Sequence, residues 1–555
     1  MDSKPATSLT ELEVLIVGAG PSGLTLAGQL ARFNVRFRII DKANDRARES
    51  RALAVQARSL EVLQCLGLGE MLASRGRTTT RLMLHVDRGE PVSIDLGSIG
   101  RSDTRFPYIL FVSQSDTEAV LTEHLVLKGV AIERSVELVS FEHDQDSCRC
   151  LLRHANGREE QIRVSYLVGC DGAHSTVRKG AGIPFEGGAY PQEFALGDVE
   201  ADGLMPLDAI HAFGAGRGFA MFFPLGKPTT WRVMAMEAGG APDRVVSDHD
   251  EVTTHELSLA DLQGIVTDPT YGSVTLRDAA WLTRFRLHHR QAAQYRKGRI
   301  FLAGDAAHIH SPVGAQGMNT GIQDAWNLGW KIALVAHGRA DDRLIDTYND
   351  ERWPVGRTLL RATDRLFSAF ARSLSGNQAI MWLRRILVRG VLAPALRHPS
   401  LRALGFHFVS QLGIHYRTSP LVTEGDPPLR RGPRAGDRLP DAPVRRAGVV
   451  TYLQQELCGA HHHLLLCGPF NVWDKRQLSD LTQASTGLIE IKHLTRDDAA
   501  EALVDADGQA FARLGIENTG QYLVRPDGHV AFRCAGTDLR GATEYLTRWL
   551  PASRA

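Results

Sequence analysis

Near the start of the chain, Gly18-Ala19-Gly20-Pro21-Ser22-Gly23 carries three glycines at a spacing suited to a phosphate-bearing ligand. Glycines in such a string permit a tight turn, close approach of a pyrophosphate to the backbone, and close packing of the helix that follows. That helix offers free N–H groups and the positive end of its dipole. Asp41, with Lys42 beside it, ends the next strand 18 residues after Gly23, where a carboxylate accepts ribose hydroxyls. A plain turn before a helix uses the same residues. The strand and helix context with the acidic residue favours dinucleotide binding, and FAD and NAD stay unresolved on this segment.

Two later segments bear on that choice. One is Cys170-Asp171-Gly172-Ala173-His174-Ser175-Thr176-Val177-Arg178, and the other is Gly304-Asp305-Ala306-Ala307-His308 running through Ser311-Pro312-Val313-Gly314-Ala315-Gln316-Gly317-Met318-Asn319. With the opening string, in this order and at these separations, they resemble the three signatures of the class A flavoprotein monooxygenases, the aromatic hydroxylases of the para-hydroxybenzoate, phenol and pentachlorophenol hydroxylase type. The resemblance covers about the first 420 residues. It implies an α/β protein with a Rossmann-type FAD-binding domain (1–80, 106–190 and 286–355) and an inserted, mainly antiparallel β-sheet substrate domain (81–105 and 191–285). A helical segment (356–428) and a thioredoxin-like C-terminal domain (429–555) follow.

The same resemblance implies site residues. Asp305 matches the carboxylate that binds the ribityl chain of FAD, although a helix N-cap before Ala306 fits the same position. The loop Pro312, Gly314, Gly317, Met318 and Asn319 would lie along the isoalloxazine ring, its N–H groups stabilising negative charge on the reduced flavin. Asp171 and Gly172 belong to a segment near the pyrophosphate that is implicated in NAD(P)H use. Arg51 and Gln114 resemble the family's contacts to the adenosine and ribityl parts of FAD. The implied reaction hydroxylates a phenolic ring with NADPH or NADH and O2 through a flavin C4a-hydroperoxide. His211, Tyr271 and Tyr416 lie where phenol contacts are expected, with core packing as the alternative for each. Halogenases on the same scaffold use a Trp-x-Trp-x-Ile-Pro signature, which this sequence lacks. Baeyer–Villiger oxygenation, oxidase or reductase activity and a non-catalytic flavin-binding role stay open, because one fold hosts many chemistries.

Other constellations read as structural. His308-Ile309-His310 and His461-His462-His463 place alternate histidines on one face without completing a coordination sphere, so no metal is expected. Cys148-Arg149-Cys150 lacks the spacer of zinc or redox pairs. The C-terminal run Leu523–Phe532 resembles the thioredoxin-like extension of phenol-type hydroxylases, but no Cys-x-x-Cys occurs anywhere, and Cys458 and Cys467 do not substitute for it.

The elements that must hold these residues follow from periodicity. Val14–Val17 and the run ending at Ile40 predict strands around a helix carrying Leu24, Leu26, Ala27, Leu30 and Ala31. Tyr166–Gly169 and Ile300–Ala303 predict buried strands, and Gly321–Val335 a long helix. Between residues 190 and 285, alternating runs such as Phe219–Phe223 and Trp231–Met236 predict antiparallel strands. Arg352 to about Ser419 is spaced as amphipathic helices. Its basic stretch Leu383–Arg389 predicts a packed helix with a solvated Arg face rather than a membrane-surface helix. Pro427–Pro443 has the composition of a linker.

Composition excludes several classes. Lys plus Arg number 64 against 63 Asp plus Glu, so no summed field favours nucleic acid or an anionic membrane. The start lacks the basic and long apolar regions of a secretory signal, and no apolar run reaches bilayer length. Seven cysteines, scattered and odd in number, argue against a secreted disulfide framework and for a reducing cytoplasm. The expected partners are a small aromatic substrate and O2; a homodimer is left open.

Overall fold

Apolar alternation and well-placed glycines build the first unit of this computed structural model. It describes residues 11–46, 52–79, 81–86, 88–95, 103–214, 218–225, 229–237, 257–310, 315–373, 386–392, 394–395, 398–485 and 487–551. In chain order, the elements used below begin with strand β1 (Glu11–Val17), helix α1 (Pro21–Arg32), strand β2 (Phe37–Asp41), helices α2 (Ala57–Gln64) and α3 (Gln114–Leu127), strand β3 (Glu159–Gly169) and helix α4 (Thr176–Gly180). Next come strands β4 (Phe185–Asp202), β5 (Gly218–Pro224) and β6 (Trp231–Glu237), helix α5 (Leu259–Thr267), strands β7 (Thr275–Ala292) and β8 (Ile300–Leu302), and helices α6 (Gln316–Ala336) and α7 (Arg343–Ser373). Strands β9 (His462–Cys467), β10 (Ile489–Thr495), β11 (Gly520–Val524) and β12 (Val530–Ala535) complete the set.

In the first sheet β1 lies between β2 and β3 and is parallel to both, and β8 pairs in parallel with β3. Val14, Leu15 and Ile16 are fully buried, as expected of a strand covered on both faces. Helix α1 starts with Pro21, whose missing N–H is no loss at a first helical position, and stops where Asn34 takes a left-handed φ of 57°. Helix α6 is buried along nearly its whole length and packs on α1.

The second sheet is built on antiparallel pairs, with β4 between β6 and β7 and β5 beside β6. Its two faces follow the two-residue period. Ala195, Val199, Ala220, Phe222, Trp231 and Val233 pack beneath Leu262 and Val266 of α5. The opposite face carries Phe194, Leu196, Phe219, Met234, Met236 and Phe285, with Met221 and Phe223 partly buried beside them.

The third sheet pairs β9 with β10 in parallel and with β11 antiparallel, and β12 closes on β11. One face of β9, Leu464 and Leu466, joins the large core of the first unit, while Leu465 and Cys467 face a smaller core of their own. At that junction Glu351 of α7 takes both guanidinium nitrogens of Arg525 at 2.6 and 2.9 Å and Lys331 at 2.7 Å, all with fully buried side chains. Burial alone would raise the Glu351 carboxyl, but Arg525 and Lys331 hold it at about 2.

Three expectations are corrected. The Pro427–Pro443 segment is packed rather than a free linker: Gly436 N donates to Val530 O, Leu439 N to Gly528 O, and Arg438 is buried against Glu61 and Asp103. Its composition reads as linker because the partners lie in distant parts of the chain. Of the basic stretch Leu383–Arg389, residues 383–385 lie outside the described residues, and Ile386 and Leu387 are exposed rather than packed. The cysteines are not all single thiols: Cys65, just past α2, is joined to Cys458 by a disulfide with Cα atoms 5.2 Å apart. Among the described residues, no helix is long and apolar enough to cross a membrane.

Two outcomes are expected. Glu351→Ala leaves Lys331 without its buried carboxylate partner and Arg525 with Asp527 alone, and destabilises by about 3–5 kcal/mol. Thermal unfolding should shift down, with faster protease cleavage between the first unit and the third sheet. Cys458→Ser removes a cross-link across 393 residues and lowers stability by about 2–4 kcal/mol while turnover persists. Thiol counting under denaturing conditions with and without reductant, alongside a melting curve, checks it.

Candidate active site

The first glycine string does what its composition suggests. Gly18 has a φ of +103°, and a Cβ there would sit 2.3 Å from Cys170 O. At Gly23 a Cβ would sit 1.9 Å from Gly18 O, so only glycine lets α1 come this close. Gly20 faces open space, with nothing within 4 Å of where a Cβ would be. Helix α1 has no side-chain cap and no acidic residue in its first turn, which leaves its N–H groups and positive dipole end for an anion.

Asp41 ties this turn to the end of β2. Its Oδ2 accepts from Ala19 N at 2.7 Å and its Oδ1 from Ala43 N at 2.8 Å, with Arg134 3.5 Å away. The carboxylate lines a cavity of about 840 Å³ together with Gly20, Arg46, Glu118 and Arg134. Gln114 donates to Glu118 Oε1 at 2.8 Å one helical turn away and so holds the carboxylate that lines this cavity. Lys42 is exposed and does not line it. Arg51 lies outside the described residues.

A second turn meets the first at Ser22. A Cβ on Gly304 or on Gly321 would lie 2.4 or 2.3 Å from Ser22 Oγ, which holds the end of β8, α6 and α1 together. Asp324, fully buried on α6, accepts from Gly304 N at 3.1 Å, His308 Nε2 at 2.6 Å and Arg352 Nε at 2.7 Å. Burial would raise its carboxyl, but Arg352 and His308 hold it at about 2. Asp305 is exposed within the short 3₁₀ turn Gly304–Ala306, which begins at Ala303 without any side-chain cap. The helix-cap alternative for Asp305 is therefore not what this turn uses.

Helix α6 begins at Ala315, whose φ of 53° is left-handed, and it too lacks a side-chain cap and an acidic first turn. Gly317 faces open space, and Gly317 and Met318 are partly exposed. The Asn319 side chain is turned into the protein. It is fully buried, accepting from Gln56 N and donating to Ala54 O and Ala315 O, each at 2.8 Å. It braces the start of α6 against the Ala54–Gln56 segment. Pro312 and Gly314 lie outside the described residues. Asp171 organises its own segment, accepting from Ser175 Oγ at 2.5 Å and Val177 N at 3.1 Å at the start of α4, while its backbone lies against Gly18. Gly172, at a φ of +77°, faces open space.

The three residues named for phenol contact are committed elsewhere. His211 is fully buried on the helix-covered face of the second sheet, bonded to Pro206 O at 3.0 Å and His85 at 3.1 Å. Tyr271 sits in the turn after α5 under Arg88. Tyr416 is buried beside His529, its hydroxyl accepting from Arg352 Nη1 at 3.0 Å. A site of a different composition emerges instead. Leu53, Ala54, Phe111, Ile210 and Leu225 form an apolar cluster against which Met221, Phe223 and Ala315 pack. The start of α6 and the Phe/Met face of the second sheet thus share one wall. Arg232, paired with Asp198 at 2.6 and 2.7 Å, donates to Ala52 O and fastens that sheet to the first unit. Sequence reasoning missed Met221 and Phe223; the alternation in Phe219–Phe223 is the signal that could have found them.

Residues 11–363 match the family described as FAD binding domain, and residues 432–553 match the aromatic-ring hydroxylase C-terminal domain. The chain is 35% identical over 544 residues to 6-methylpretetramide 4-monooxygenase of Streptomyces rimosus, covering 97% of this chain and 93% of that protein. The chain belongs to the class A FAD-dependent aromatic hydroxylases. It is also 31% identical over 542 residues to pentachlorophenol 4-monooxygenase of Sphingobium chlorophenolicum, at 95% and 94% coverage. The flavin-dependent monooxygenase PieE, solved in complex with FAD and substrate, superposes on this hydroxylase with a TM-score of 0.79 at 25% identity, covering 97% of this chain and 99% of that one.

The glycine turn, the open space at Gly20 and the uncapped ends of α1 and α6 fit the pyrophosphate and ring of FAD. Asp305→Ala is expected to leave the melting temperature of the FAD-free hydroxylase unchanged while weakening FAD binding. Each charge-assisted hydrogen bond lost is about 1.5–3 kcal/mol, tenfold or more in Kd. Flavin fluorescence titration of the apoprotein measures it; an unaltered Kd would remove Asp305 from the site.

Proposed function

We propose that this hydroxylase transfers one oxygen atom of O2 to a phenolic ring, using NADPH or NADH as reductant. The observation that carries the reading is the shared apolar wall, where Ala315 at the start of α6, and Met221 and Phe223 of the second sheet, pack against the cluster that contains Phe111. Such a wall suits a flat apolar ring held beside the loop that begins α6.

When bound, FAD supplies the redox chemistry that reduces and activates O2. The chain's own residues bind and orient. The Gly18–Gly23 turn and the N-terminus of α1 would hold the pyrophosphate, with Asp41, Glu118 and Gln114 available to the adenosine part. Asp305 would accept from the ribityl hydroxyls. The N–H groups of Gly317 and Met318, at the positive end of α6, would stabilise negative charge on the flavin ring. Phe223, Met221 and Phe111 exclude water and orient the aromatic substrate. No side chain is required as nucleophile.

The C-terminal unit is read as thioredoxin-like, supported by its parallel pair β9 and β10 beside the antiparallel pair β11 and β12. It has an assembly role rather than a thiol-exchange one, since Cys467 is buried with its thiol raised by desolvation.

A panel of phenols is expected to accelerate NAD(P)H oxidation, with the oxygen of labelled O2 appearing in the product by mass spectrometry. A hydroxylated product carrying oxygen from water would sink the monooxygenase reading. Hydrogen peroxide as the sole oxygen product across the panel would leave an oxidase in its place.

A further inference from the structure

Alternate histidines on one strand face supply two donors and need a third from elsewhere to hold a metal. The neighbouring parallel strand provides it. Glu490 of β10 is the register partner of His463 on β9. Its Oε2 lies 2.8 Å from His461 Nε2 and 3.4 Å from His463 Nδ1, and one donor atom from each of the three lies within 4.8 Å of the others. Its Oε1 is held by Lys492 Nζ at 2.6 Å, which fixes the carboxylate with its other oxygen toward the two rings.

A second observation concerns His463 itself. Its side chain is 1% exposed, yet neither ring nitrogen has a hydrogen-bond partner. Buried polar atoms are nearly always satisfied, and a metal ion on the lone pair would satisfy this one. The rings also converge over a glycine: a Cβ on Gly459 would lie 2.6 Å from His461 Nε2 and 2.8 Å from His463 Nε2. His461 and Glu490 remain 33% and 42% exposed, which gives an ion a way in.

We propose that His461, His463 and Glu490 form a binding site for one divalent ion of the zinc class, with a water completing the tetrahedral set. Two imidazole nitrogens and one carboxylate oxygen suit zinc and its borderline neighbours rather than magnesium or calcium, which take oxygen ligands. The ammonium of Lys492 reinforces that choice, because it neutralises part of the charge a hard cation needs. On binding, the ion replaces the proton between His461 Nε2 and Glu490 Oε2, which leaves to solvent. It would join β9 to β10 just after the cross-linked Cys458, a structural role in the C-terminal unit.

The test uses the full-length, FAD-loaded protein without a polyhistidine tag, stripped with chelator and equilibrated with zinc chloride in excess magnesium. Elemental analysis after dialysis should give about one zinc per chain. Glu490→Gln and His461→Ala should each weaken zinc binding roughly tenfold or more at unchanged FAD content. His461→Ala alters a partly exposed side chain, so it keeps the test decisive where a change at buried His463 does not fold. Background zinc in the parent protein, or the same affinity in His461→Ala, overturns the proposal.

Discussion

The fully buried pair of Asp324 and Arg352 is the interaction on which the site depends. Removing two charges from water is unfavourable unless their hydrogen-bonding capacity is met. Here it is: Asp324 accepts from Arg352 Nε, His308 Nε2 and Gly304 N, and Arg352 donates further to Thr320 O and Tyr416 OH. The pair therefore ties together helix α6, helix α7, the turn that presents Asp305 and the segment around Tyr416. Moving any one of them would strand a buried charge, so the turn beside the cofactor groove is held rigidly without a ligand's help.

The next residue of α7 looks the other way. Glu351 receives Arg525 and Lys331 and anchors the C-terminal unit. One helical step thus serves two junctions, the cofactor turn through Arg352 and the third sheet through Glu351. Asp527 extends the second network, accepting from Asn327 and Trp330 of α6 and pairing with Arg525. The disulfide between Cys65 and Cys458 and the buried pairing of Arg438 with Glu61 tie the same two units at separate points. Association through many buried polar contacts is specific, because every misplaced approach leaves charges unpaired.

Electrostatics at the groove follow from what is absent at two helix starts. Helix α3 is capped by Ser113 and α5 by a reciprocal Ser258–Asp261 box, so their N–H groups are already used. Helices α1 and α6 have no side-chain cap and no acid in the first turn, and each begins at a glycine-rich approach. Their positive ends remain available for the negative charges of a dinucleotide and of a reduced ring system.

The features legible in the sequence were those set by local backbone demands. The Gly18–Gly23 turn, the strand ends at Asp41 and before Gly304, the long helix over Gly321–Val335 and the alternation of the second sheet all depend on neighbours a few residues apart. Side-chain type in such stretches reports directly on the conformation it must adopt. The family resemblance supplied the expectations for Asp305 and Gln114, which no local pattern carries. Only the tertiary structure decided which distant groups meet: Asp324 with Arg352, Glu118 and Arg134 around Asp41, Phe223 and Ala315 against one apolar cluster, Cys65 with Cys458, and Glu490 with His461 and His463. For His211 and Tyr416 the structure shows the core-packing alternative, since a residue's chemistry states what bonds it can make but not which partner will satisfy them. Contacts across tens to hundreds of residues follow from the packing of whole elements, and no spacing along the chain records them.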